Sequence, residues 1–146
     1  LASAVQAGAL DLGIDHTGLI QEYLPPKDRQ IVRVEILDGE YLYAIRLPIS
    51  DESFNYCPAD GCNIDRPDLA VQPHQPPEWV IQDVRRILAA SSADLGSVEY
   101  LVSEADGEIV YYDINPLSNF VADATSIVGF DPFEKLADLI EHRARS

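Results

Sequence analysis

The stretch Val98-Glu99-Tyr100-Leu101-Val102, followed by Asp106-Gly107 and then Ile109-Val110-Tyr111-Tyr112-Asp113-Ile114-Asn115-Pro116, decides how the chain reads. β-Branched and aromatic residues on both sides of an Asp-Gly pair predict two strands joined by a tight turn. Residues two apart on a strand face the same side, so Asp113 and Asn115 point together. Glu99 lies where the neighbouring strand begins. Two carboxylates and an amide oxygen are hard ligands, suited to a magnesium ion that substrate phosphates also hold.

Turn length decides whether the three side chains meet. A two-residue Asp106-Gly107 loop pairs Ala105 with Glu108, and Glu99 then faces away from Asp113 and Asn115. A three-residue loop, Ala105-Asp106-Gly107, pairs Glu104 with Glu108 and sets Glu99 opposite Asp113. Such loops end on a left-handed residue, which Gly107 supplies. One residue of register moves every side chain across the sheet, so the metal reading predicts the three-residue loop.

A second hairpin lies upstream. Ile31-Val32-Arg33-Val34-Glu35-Ile36-Leu37 precedes Asp38-Gly39, and Tyr41-Leu42-Tyr43-Ala44-Ile45-Arg46-Leu47 follows it. A two-residue loop pairs Leu37 with Glu40 and Arg33 with Ala44, which puts Arg33 and Arg46 on one face. Two arginines sharing a face are costly unless anions lie between them. The competing reading is that each pairs with a local carboxylate, such as Glu35 or Asp51.

Around these hairpins the pattern predicts an α+β chain, a mostly antiparallel sheet with flanking helices. A helix is expected over residues 1–12, with Gly13 as its stop. Gly18 to Leu24 reads as a short strand ended by Pro25-Pro26. Residues 48–77 are proline-rich and polar and read as a long irregular loop, a class that is usually a functional lid or a disordered segment. A helix is expected from Pro77 to Ser91, with Val80, Ile81, Val84, Ile87 and Leu88 as its apolar stripe and Trp79 packed near its first turn. Leu117 to Ala122 reads as a turn leading into a short helix. Asp131-Pro132 starts a last helix, with Phe133, Leu136, Ala137 and Ile140 as its apolar face.

The 146 residues suit one domain, or part of a larger one. The 47% hydrophobic content supports a core. The chain begins at Leu1 and has no methionine, which reads as a piece of a longer protein. No apolar run approaches the roughly 18 residues of a membrane span. No signal-peptide pattern opens the chain, and a cytoplasmic location is expected. A formal charge of −15 argues against nucleic acid as partner. It does not exclude a nucleotide, because a metal and a few local cations can reverse the field at a site. Cys57 and Cys62 are too few for a disulfide scaffold or a zinc site, and they read as two reduced thiols in a loop.

In this order and spacing the residues resemble the carboxy-terminal half of an ATP-grasp ligase, in the branch of ribosomal glutamate ligases and glutathione synthetases. Gln21, Glu22, Tyr23 and Leu24 resemble that family's hinge strand, which receives adenine. Ile31-Val32-Arg33-Val34 is similar to its Ile-Arg-Val strand, with Arg33 facing the phosphates or the acyl intermediate. Arg46 stands where a second such arginine is usual, and Asn55 resembles the asparagine of the loop that follows. Glu99, Asp113 and Asn115 fall on the family's magnesium triad, although the family usually has Glu where Asp113 stands. The usual Asn-x-x-Pro-Gly continuation is replaced by Pro116-Leu117-Ser118-Asn119-Phe120. The family's glycine-rich lid and two phosphate-binding lysines precede the hinge and are not in this sequence.

The resemblance implies ATP and Mg2+ as cofactors, with Mn2+ as a substitute. It implies a carboxylate-amine or carboxylate-thiol ligase acting through an acylphosphate, joining an amino acid such as glutamate to an acceptor. The partners would be ATP, a small carboxylate or amine, and the upstream subdomains. Without those subdomains the 146 residues alone are expected to be inactive. Their absence would also bare apolar surface and favour a homodimer. Two other readings are a non-catalytic nucleotide-binding or interaction module and a cation-binding domain that ignores nucleotide.

Overall fold

Asp38 and Gly39 both take positive φ, 53° and 75°, in the computed structural model. That is the geometry a two-residue hairpin turn requires, and Asp-Gly is among the pairs that accept it. The turn joins β1 (Pro26–Leu37) to β2 (Glu40–Pro48), and Leu37 pairs with Glu40 as expected. The structure describes residues 7–8, 14, 17, 21–49 and 70–145. The expected helix over 1–12, Asn55, Cys57 and Cys62 lie outside the described residues or almost wholly so.

The other elements are β3 (Gln72–His74), α1 (Glu78–Ala90), β4 (Leu95–Ser103), β5 (Ile109–Asn115), α2 (Ala124–Val128) and α3 (Pro132–Ala144). The strands form one antiparallel sheet in the order β3-β2-β1-β4-β5. The α+β class is therefore as the sequence predicts. Two local expectations change. Gln21 to Leu24 are not strand, and β1 begins at Pro26, where a proline at a strand's start loses no ladder bond. Within 48–77, residues 72–74 add an edge strand to β2.

Alternation along β1 divides the core in two. Val32, Val34 and Ile36 face α1 and pack on its Val80, Val84 and Leu88, with Ala44, Val98 and Tyr100 from the neighbouring strands. Ile31 faces the other way, with Tyr43, Ile45 and Leu47, and is covered by Phe120, Val121 and Ala124. The Tyr43 hydroxyl accepts from the Val121 amide at 3.1 Å, which ties the segment after β5 to the sheet. Trp79 is exposed rather than packed, as is most of the apolar face of α3, where Phe133 and Ile140 are bare. Asp131 caps α3 as expected, accepting from the Phe133 amide at 2.9 Å. Among the described residues no helix is long and apolar enough to cross a membrane.

Gly96 marks where α1 and β5 crowd the start of β4. A Cβ there would sit 2.8 Å from the Asn115 backbone oxygen and 2.8 Å from Leu88 Cδ2. Leu88 can turn aside, but a backbone carbonyl held in a ladder cannot. Gly96→Ala is expected to cost about 1–3 kcal/mol, read as a lower midpoint in urea denaturation.

Candidate functional site

Each hairpin contains one extra residue, and the two insertions decide which polar side chains meet. In β2, Ile36 pairs with Tyr41 but Glu35 pairs with Tyr43, so Leu42 is a bulge. The shift sets Arg33 opposite Ile45, and Arg46 opposite Val32. Arg33 and Arg46 therefore lie on opposite faces, which corrects the expectation that they share one. A two-residue turn fixes register only as far as the first bulge.

The β4–β5 hairpin has a four-residue loop, Glu104 to Gly107, closed by the Ser103 amide donating to Glu108 O at 2.8 Å. The expected three-residue loop is not formed. By itself that register would set Tyr112 opposite Glu99 and turn Asp113 away. A bulge at Tyr112 restores the alignment: Tyr100 pairs with Tyr111, and Glu99 pairs with Asp113. Ser97 pairs with Asn115, so Glu99, Asp113 and Asn115 share one face, as the metal reading requires.

Arg33 stands beside them. Its Nε donates to Glu99 Oε1 at 2.8 Å, and the Tyr112 hydroxyl donates to Glu99 Oε2 at 2.7 Å. The Glu99 and Arg33 side chains are 5% and 12% exposed, so the pair is largely out of water. Asp113 is exposed. The Leu117 amide donates to Asn115 Oδ1 at 3.1 Å, which fixes the orientation of that amide.

Sequence reasoning gave Glu35 only a generic role as a local partner for arginine. It sits one pleat from Arg33 on the same face and is fully buried. The Ser118 hydroxyl donates to its Oε1 at 2.7 Å, while Oε2 is buried and has no hydrogen-bond partner among the described residues. Burial pushes the Glu35 carboxyl up to about 7, against the opposing pull of the Ser118 hydroxyl and the Arg33 charge. An acidic residue inside an otherwise apolar strand, two positions from an arginine, was the available signal.

Gln21, Glu22 and Tyr23 are exposed, and Leu24 is half-buried. The segment enters β1 beside the far end of β4, where the Glu104 amide donates to Pro25 O at 2.9 Å. From Ser103 back to Glu99 is four residues, about 13 Å along a strand.

The described residues include no group of three or more His, Cys, Asp and Glu able to hold a metal. Glu99, Asp113 and Asn115 offer two carboxylates and one amide oxygen. Carboxylate oxygens carry more than one lone pair, so the contacts from Arg33 and Tyr112 leave acceptor capacity on Glu99. This donor set fits magnesium, which takes one or two carboxylates and completes its shell with phosphates and water.

Comparison with solved structures bears on the fold. The ATP-grasp ligase PsnB complexed with minimal precursor superposes with a TM-score of 0.61 and 16% identity, over 85% of this chain and 37% of that one. PsnB complexed with minimal precursor, Mg and ADP gives 0.61 and 15%, over 86% and 35%. The fold is similar to part of the fold of these ATP-grasp ligases. A Chryseobacterium gregarium RiPP-associated ATP-grasp ligase in complex with ADP, and a leader and core peptide, gives 0.52 and 20%, over 68% and 28%. The chain thus spans about a third of the length of these ATP-grasp structures. No protein-family profile matches the sequence, and no curated protein does.

Proposed function

We propose that this chain is the magnesium- and nucleotide-holding part of an ADP-forming carboxylate ligase. One observation carries the reading: Glu99, midway along β4, shares a face with Asp113 and Asn115, and the Gln21–Leu24 segment enters at the Ser103 end of the same strand. The separation suits a nucleotide whose base lies at the hinge and whose terminal phosphates lie at the acidic face. With a net charge of −15, a cation held there would offset the repulsion a polyphosphate meets.

Each residue then has a role. Glu99, Asp113 and Asn115 would hold the metal, which when bound neutralises phosphate charge. Arg33, anchored on Glu99, offers its remaining guanidinium hydrogens to a transferring phosphoryl group or an acylphosphate. Gln21, Glu22, Tyr23 and Leu24 would receive the base and ribose, with Asn55 assigned to the phosphoryl side by resemblance alone. Arg46 is removed from this site by its place on the other face. Phosphoryl transfer of this kind needs positioning and charge neutralisation more than covalent catalysis.

The acceptor chemistry is a carboxylate activated by ATP and displaced by an amine or another nucleophile. Glutamate joined to an acceptor is one form. A peptide substrate is the form favoured by the ATP-grasp structures solved with a precursor or with a leader and core peptide. The test is ADP release by the full-length protein. Release that needs Mg2+ together with an amino acid or peptide acceptor supports the reading. Mg2+ or Ca2+ binding that ignores ATP would favour the cation-binding alternative.

A further inference from the structure

The face of the sheet turned away from Glu99 holds a cavity of about 260 Å3 between the starts of β1 and α1. The Leu42 bulge turns Arg46 toward this side, opposite Val32. Arg46, Lys27, His74 and Tyr100 supply polar lining, and Val32, Val102 and Ile109 supply an apolar wall. His74 Nε2 lies 3.4 Å from the Tyr100 hydroxyl, and the Tyr41 hydroxyl donates to the His74 carbonyl at 3.4 Å. Edge strand β3 thereby holds the imidazole at the cavity.

The charges here are simple to count. Burial, reinforced by the Arg46 charge, lowers the pKa of His74, so the ring is neutral near pH 7. Burial pushes the Tyr100 hydroxyl up to about 12. Both are therefore neutral hydrogen-bonding groups. Lys27 and Arg46 are cations, and Asp28, which also lines the cavity, is an anion. Among the described residues Arg46 has no ion-pair partner, in a chain whose net charge is −15. Among the described residues no carboxylate meets this half-buried guanidinium, whose planar fork is suited to an anion.

We propose that this cavity binds a small organic monocarboxylate with an apolar stem. The carboxylate would take the Arg46 fork, with His74 and Tyr100 as neutral partners and Lys27 at the exposed rim. The stem would lie on Val32, Val102 and Ile109. A single net positive charge matches a monoanion. A phosphate dianion would meet the repulsion of the whole chain with less local compensation. The same group occurs on a free short-chain acid and on a glutamate side chain of a peptide. The site is separate from the proposed nucleotide face and does not depend on it.

Butyrate is the probe, titrated into the protein by NMR, with inorganic phosphate and butylamine as controls. Saturable shifts at Arg46, His74 and Val102 are expected with butyrate and with neither control. Arg46→Gln is expected to weaken binding about ten-fold or more, the loss of one charge-assisted contact, with the melting temperature unchanged. Lys27→Gln, at an exposed position, should weaken it by a smaller factor. Mg-ADP should not displace butyrate. A glutamate-containing peptide that binds about ten-fold tighter than butyrate assigns the carboxylate to a peptide; weaker binding assigns it to a free acid. No saturable butyrate binding, undiminished binding by Arg46→Gln, or displacement by Mg-ADP would overturn the proposal.

Discussion

Arg33→Ala is expected to cost about 3–5 kcal/mol of folding stability, measured by urea denaturation at pH 7. The figure follows from what the substitution leaves behind rather than from the value of the pair itself. Glu99 is 4% exposed and among the described residues would keep only the Tyr112 hydroxyl as a hydrogen-bond donor. Stranding one member of a largely buried ion pair costs far more than removing both, because the remaining charge has neither water nor counter-ion. Replacing Arg33 and Glu99 together by apolar residues should therefore recover much of the loss. Asp113→Asn is the control: Asp113 is exposed and should change stability by only a few tenths of a kcal/mol. The contrast separates the residue that builds the face from the residue that presents a charge on it.

Glu35 makes the fold sensitive to pH in the direction opposite to most carboxylates. Its carboxyl is raised from about 4.5 to about 7 by burial, so the folded state binds the proton more tightly than the unfolded state. Stability from this group is fully present below the unfolded value. It declines as pH rises and is lost as pH passes through about 7. The full swing corresponds to about 3 kcal/mol. Urea midpoints should thus fall between pH 5 and pH 8. Glu35→Gln, which keeps an acceptor for Ser118 and cannot ionise, should flatten that fall and be the more stable protein at pH 8. Arg33→Ala should move the same transition to higher pH, since the Arg33 charge opposes the upward shift.

Periodicity and turn chemistry made most of this legible in advance. Asp38-Gly39 announced a hairpin, the stripe from Val80 to Leu88 announced α1, and Asp131-Pro132 announced the start of α3. The bulges at Leu42 and Tyr112 were not legible. Each is an ordinary strand residue with no glycine or proline beside it, and its insertion is decided by packing on both faces of the finished sheet. Their effects run in opposite directions. The Leu42 bulge separates Arg33 from Arg46, which simple counting had joined. The Tyr112 bulge returns Asp113 to Glu99 after a loop one residue longer than expected. The partner of Arg33 was equally out of reach, because pairing of β1 with β4 brings Glu99 from 66 positions away. Side chains two apart on one strand can be read from a sequence, whereas contacts across nonconsecutive strands depend on sheet order.

The Tyr112 bulge sets Asp113 opposite Glu99, and the proposed role of that face is to hold a magnesium-bound nucleotide. Its most direct test is the affinity of the full-length protein for ADP, with and without Mg2+, in the native sequence and in Asp113→Asn. Mg2+-dependent binding is expected, falling about ten-fold or more in Asp113→Asn, at unchanged melting temperature and with Arg46→Gln behaving as the native protein. ADP binding that is indifferent to Mg2+, or equal in the Asp113→Asn and native proteins, would contradict it.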